Sequence, residues 1–121
     1  MKQILNVEND NINAFLTERM LRDVCVVHTA EDEPEMYQLL SSQPISLVLM
    51  DIHLGEDKAD GTQLLQQLRE DPRYSHLPII AVTAYAMPGD EDRFLAMGFN
   101  AYLAKPFLQE DLEMLVKTLA V

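Results

Sequence analysis

An open, parallel, doubly wound α/β sheet is the fold class this sequence predicts, on three observations. Five short apolar runs alternate with segments of helical periodicity along the whole chain. Those runs are nearly continuous in hydrophobicity, which suits strands covered on both faces. Strands alternating with helices imply parallel pairing, because a right-handed crossover helix returns the chain to the same end of the sheet.

The elements follow in order. Ile4-Leu5-Asn6-Val7 reads as the first strand, and Ile12, Phe15, Leu16 and Met20 then share one face of a helix. The second strand is the run Val24–Val27. Asp32-Glu33-Pro34 opens the second helix, since proline is tolerated in a first turn and acidic groups favour a helix N-terminus; Met36, Leu39 and Leu40 are its apolar face. Ile45 to Met50 is the third strand. Leu64, Leu65 and Leu68 mark the third helix, which ends at Asp71-Pro72. Pro78 precedes the fourth strand, Ile79 to Val82. Gly98 is placed to close the fourth helix in a left-handed conformation. Ala101-Tyr102-Leu103 is the fifth strand, and Leu112, Leu115, Val116 and Leu119 line the last helix.

Composition sets limits on function. A chain of 121 residues, 48% hydrophobic and 24% charged, fits one globular domain spanning 1–121. Its 20 acidic against 9 basic residues give a net charge of -11, which disfavours direct binding of nucleic acid. The single Cys25, in an apolar run, reads as a buried thiol in a reducing compartment. No apolar run approaches the roughly 20 residues needed to span a bilayer, so cytoplasmic residence is expected. The three histidines are scattered and show no metal-binding spacing, and the seven methionines read as filling of gaps.

Open α/β sheets bind ligands outside the carboxyl ends of their strands. There the sequence places Glu8-Asn9-Asp10 after the first strand, Asp51 after the third, Thr83-Ala84 after the fourth and Lys105-Pro106 after the fifth. Two or three oxygen ligands suit a hard divalent cation such as Mg²⁺, and a lysine with a hydroxyl can hold an anionic group. Phosphoryl transfer needs that set: a nucleophilic oxygen (Asp51), a metal side (Glu8, Asn9) and fixed donors (Thr83, Lys105).

These residues resemble the receiver domains of two-component response regulators, the chemotaxis regulators among them. The likeness covers nearly the whole chain. It rests on Val7-Glu8-Asn9-Asp10-Asn11, Met50-Asp51-Ile52, Val82-Thr83-Ala84 and Lys105-Pro106-Phe107, four motifs in order at matching strand ends. The resemblance implies a flavodoxin-like, five-stranded sheet of order 2-1-3-4-5 with five helices on two faces. It implies that Asp51 accepts phosphate from a histidine kinase or histidine phosphotransfer protein. Mg²⁺ would be held by Asp51, the residues after the first strand and the backbone carbonyl of His53. Thr83 and Lys105 would contact the phosphoryl oxygens, Tyr102 would occupy an aromatic switch position, and the Lys105-Pro106 bond would be cis.

Such a domain is a signalling switch and not an enzyme, beyond self-phosphorylation from a donor and slow autodephosphorylation. Its signal would be a change in the surface of the fourth helix, fifth strand and fifth helix, read by a downstream target or an attached output domain. It would be a monomer or weak dimer without membrane contact, free-standing or excised from a hybrid histidine kinase.

Two departures stand out. Receivers usually carry a second acidic residue where this chain has Asn9, so Mg²⁺ affinity is expected to fall, with Asp10 able to help if the loop is shifted. The stretch from Ile52 to Gly61 lacks the usual proline near Gly55 and is longer and more acidic. It reads first as a tolerated surface insertion, and second as a place where Glu56 and Asp57 tune phosphate lifetime or partner choice. The departures motivate an alternative: a degenerate receiver that binds partners without phosphorylation. An aspartate-nucleophile phosphatase is less apt, since its second Asp would fall at His53. A nucleotide-binding protein would want a Gly-rich first turn instead of Glu8-Asn9-Asp10-Asn11.

Overall fold

The computed structural model describes residues 1–55 and 60–120; Glu56 and Asp57 lie outside them. Ten elements alternate: β1 (Gln3–Val7), α1 (Asn11–Met20), β2 (Val26–Ala30), α2 (Glu33–Ser42), β3 (Ile45–Asp51), α3 (Gly61–Glu70), β4 (Ile79–Thr83), α4 (Asp90–Met97), β5 (Ala101–Ala104) and α5 (Gln109–Leu119). All strand pairs are parallel, in the order β2-β1-β3-β4-β5. The fold class and the strand order implied by the resemblance are both found.

Two apolar layers sandwich the sheet. Leu64, Leu65 and Leu68 of α3 are fully buried, with Met36 and Leu40 of α2 and Phe94 of α4, against Leu5, Val7, Val48 and Met50 on one face. On the other face Leu112 and Val116 of α5 pack with Leu21 against Ile4, Leu47, Leu49 and Ile80. Each such side chain contributes about 1.5–3 kcal/mol relative to exposure. The two layers hold the strand ends, and hence the rim, in register.

Local signals account for the boundaries. Asp10, Asp32 and Asp60 cap α1, α2 and α3 by accepting backbone N–H groups of the first turn. Asp60 completes a capping box with Gln63. Gly98 closes α4 at φ +120°, a conformation that costs glycine little.

Two expectations need correction. The sequence predicts a second strand over Val24–Val27, but pairing begins at Val26, opposite Gln3, and runs to Ala30. The amides of Val24 and Cys25 both donate to the Leu21 carbonyl, so these residues wrap the end of α1. Their hydrophobicity reflects burial in the core and not strand pairing. The apolar stripe of α1 is also turned around: Ile12, Phe15 and Leu16 are 72%, 54% and 46% exposed, while the small Ala14 and Thr17 face inward. The small residues of this helix face inward and its bulky apolar face is left uncovered.

Candidate functional site

Register alone gathers the site. Val7 pairs with Met50, which sets Glu8 level with Asp51, and Asp51 pairs with Val82. Thr83 pairs with Ala104, and the Lys105 amide donates to the Thr83 carbonyl at 2.8 Å. Glu8, Asp51 and Lys105 thus leave β1, β3 and β5 at the same end of the sheet. They line a cleft of about 320 Å³ with Asn9, Asp10, Asn13, His53, Gly55, Ala84 and Tyr85.

Lys105 joins the two carboxylates. Its Nζ lies 2.5 Å from Glu8 Oε1 and 3.5 Å from Asp51 Oδ2. Glu8 is only 4% exposed, and burial, reinforced by hydrogen bonding and repulsion from Asp51, raises its pKa to about 7. The Lys105 ammonium pulls it down and is outweighed. Two buried carboxylates against one ammonium leave negative charge that a proton or a cation must offset.

That donor set fits Mg²⁺. The ion takes one or two carboxylates and keeps several waters, so the absence, among the described residues, of three converging acidic, imidazole or thiol side chains is no obstacle. Asn9 adds no charge. Its Nδ2 donates to the Leu54 carbonyl at 2.7 Å. Asp10 also borders the cleft, but its Oδ1 caps α1, accepting from the Ile12 and Asn13 amides at 2.9 and 3.0 Å.

The remaining expected residues are placed as follows. His53 follows Asp51 closely, its amide donating to Asp51 Oδ1 at 3.1 Å. Thr83, 1% exposed, ends β4, and its Oγ1 accepts the Tyr85 N–H at 3.0 Å; among the described residues its own hydroxyl donates to no acceptor. Tyr102 lies half-buried on β5, stacked on Phe94 of α4 with centroids 5.8 Å apart. The Lys105-Pro106 bond is cis.

Sequence reasoning missed Tyr85, which meets the His53 ring edge-on at 4.8 Å and walls the cleft. Only its place two residues after Thr83 could have flagged it. It also missed Gly61: a Cβ there would stand 2.5 Å from the Asp51 carbonyl oxygen. The start of α3 therefore presses directly on the strand that carries Asp51.

Beside the cleft lies a second groove of about 320 Å³, mostly apolar, formed by Leu16, Thr17 and Met20 of α1 with Pro106 and Phe107. Asn13, Ala84 and Lys105 line both. Among the described residues no helix is long and apolar enough to cross a membrane.

Comparison with known proteins gives the family and supports the fold. The response regulator receiver domain family matches residues 4–117. The response regulator Rre1 of Synechocystis sp. is 38% identical over 93 residues, covering 77% of this chain and 39% of that protein's length. The polar-differentiation response regulator DivK of Brucella anthropi is 34% identical over 110 residues, covering 87% of this chain and 85% of DivK. Among solved structures, the receiver domain of a sensor histidine kinase from Pseudomonas aeruginosa, with a magnesium ion coordinated in its active-site cleft, is 32% identical. It superposes with a TM-score of 0.83 over 98% of this chain and 96% of that one.

Proposed function

Since the chain belongs to the receiver domains of response regulators, we propose that Asp51 is its phosphoacceptor and that a phosphohistidine of a histidine kinase or phosphotransfer protein is the donor. The observation that carries this reading is the convergence of Asp51, Glu8 and Lys105 from three strand ends into one cleft.

An Asp51 carboxylate oxygen attacks phosphorus, the donor's P–N bond breaks, and an acyl phosphate forms while the bond electrons return to the ring, which leaves as neutral imidazole keeping the proton already on its other nitrogen. Lys105 shifts from Glu8 towards the new phosphoryl oxygens, and the Thr83 hydroxyl donates to another. Asp51, Glu8 and the His53 carbonyl are the groups that would hold Mg²⁺, which when bound neutralises phosphoryl charge. Neutral Asn9 weakens that binding relative to an acid at the same position. Modification adds about -1.5 to -2 charge, by analogy with hydroxyl phosphates, and drawing Thr83 towards it frees space for Tyr102 to move inward. The surface of α4, β5 and α5 then changes.

The donor docks on α1. Its exposed Ile12, Phe15 and Leu16 continue the apolar groove that shares Lys105 with the cleft, so a helical donor seated there brings its histidine to Asp51. We place residues 1–121 as one receiver domain in the cytoplasm, signalling to a downstream protein target or an attached output domain, as monomer or weak dimer. Its chemistry is self-phosphorylation of Asp51 from a donor and slow autodephosphorylation. A phosphorylation-independent interaction module is the weaker reading, because Asn9 leaves Asp51, Glu8 and Lys105 assembled.

Incubation with a small phosphodonor and Mg²⁺, followed by intact mass, tests the proposal. One phosphoryl adduct on the wild type and none on Asp51→Ala is expected; an unmodified wild type would favour the interaction module.

A further inference from the structure

The two positions at which the sequence departs from the receiver pattern meet in space. Asn9 Nδ2 donates to the Leu54 carbonyl at 2.7 Å, and the next residue is Gly55, held at φ +119°. A Cβ at Gly55 would lie 3.7 Å from the same Asn9 nitrogen. We infer that Asn9 is a positioning residue: its amide latches the Leu54–Gly55 backbone, and so fixes the segment that follows His53 at the wall of the cleft.

Three observations carry this. A carbonyl only accepts, so the group facing Leu54 must be a donor; an amide qualifies and a carboxylate does not. Glycine at positive φ gives a turn without intrinsic stiffness, and proline, fixed near φ -65°, could not adopt it. The Leu54 side chain, 1% exposed, anchors this segment in the core, and the Asn9 bond ties its backbone to the end of β1. In this chain, then, residue 9 supplies a tether where an acid would supply charge. The inference deepens the phosphoacceptor reading, on which its functional meaning rests.

Amide exchange of the metal-free, unphosphorylated protein tests the latch without relying on that reading. Asn9→Ala and Asn9→Asp should both speed exchange at His53, Leu54 and Gly55 by about fivefold, the factor corresponding to one ordinary hydrogen bond, with the core amides of α3 unchanged. Unchanged exchange in Asn9→Ala, or acceleration in Asn9→Asp alone, would overturn the inference, the latter because repulsion and not a lost donor would be at work. Gly55→Pro should give the same acceleration at His53 and Leu54, and combining it with Asn9→Asp should add little, because both changes break one bond. Full additivity would count against the latch.

A second readout separates position from charge. Asn9→Asp should bind Mg²⁺ more tightly and yet, at saturating Mg²⁺, take phosphate from a small donor no faster than wild type. A gain in both would make Asn9 merely a poor ligand and overturn the inference. Should even the wild type take no phosphate, the phosphoacceptor reading fails while the exchange result still decides the latch.

Discussion

Lys105 stands nearer to Glu8 than to Asp51, at 2.5 Å against 3.5 Å, so the cation expected to hold a phosphoryl group rests on a neighbouring carboxylate. Glu8 in turn is held at a pKa of about 7 by burial and by Asp51. An acid whose folded pKa is raised binds more protons folded than unfolded between the two values. Stability therefore falls as pH rises from about 4.5 to about 7. Denaturant melts of the metal-free protein should show that decline, and Glu8→Gln should flatten it. Mg²⁺ should restore stability at pH 7.5 and have little effect at pH 5. A pH profile that Glu8→Gln leaves unaltered would dissociate the effect from this residue.

The outward apolar face of α1 separates docking from chemistry. Phe15 and Leu16 are about half exposed, so Phe15→Glu and Leu16→Glu should change stability by no more than about 0.5 kcal/mol. Leu65→Ala, in the core, should cost about 2–5 kcal/mol. Phosphorylation of the α1 variants by a small donor should match wild type, while transfer from a phosphohistidine protein should drop at least tenfold. Equal transfer from the protein donor would place docking elsewhere.

That same helix shows where the sequence was legible and where it was not. Buried strands declare themselves by unbroken hydrophobicity, as β3 and β4 do, and so the rim residues following them could be named in advance. Helix α1 misleads because periodicity reports an apolar face without saying what covers it; a face kept for a partner looks like one kept for the core. Edge strand β2 was misplaced for the related reason that Val24 and Cys25 are apolar for packing, while its polar His28 and Thr29 break the signal. In the site, Asp51 and Lys105 were readable because a parallel sheet brings all its carboxyl strand ends to one rim, where four polar motifs follow the strands in order. The Asn9 latch was not, because its partner is a backbone carbonyl 45 residues away.

Gly61 offers a sharp steric test. A Cβ there would stand 2.5 Å from the Asp51 carbonyl oxygen and 2.9 Å from the Ile52 Cα, and neither backbone atom can move without disturbing β3. Alanine normally stabilises a helix relative to glycine by roughly 0.5–1 kcal/mol. Here Gly61→Ala should instead destabilise by at least about 2 kcal/mol. Because the strain falls on the residue after Asp51, phosphorylation should slow as well. A variant as stable as wild type would show that α3 can retreat freely from the strand.

The stack of Tyr102 on Phe94, at 24° and 5.8 Å, sets the resting position of the proposed switch residue. Phe94 is 3% exposed and itself braced edge-on by Phe99, so Tyr102 leans on a fixed wall. An aromatic pair of this kind adds about 0.5–1.5 kcal/mol beyond burial, which corresponds to roughly a two- to tenfold bias against moving inward. Phe94→Leu keeps an apolar side chain but removes the stack, and should raise the inward population of Tyr102 by about that factor in the unphosphorylated protein. Leu95→Ala, on the exposed side of the same helix, should not. Ring resonances of Tyr102 report the population directly. An unshifted Tyr102 in Phe94→Leu would mean that α4 does not set the switch, leaving Thr83 alone to do so.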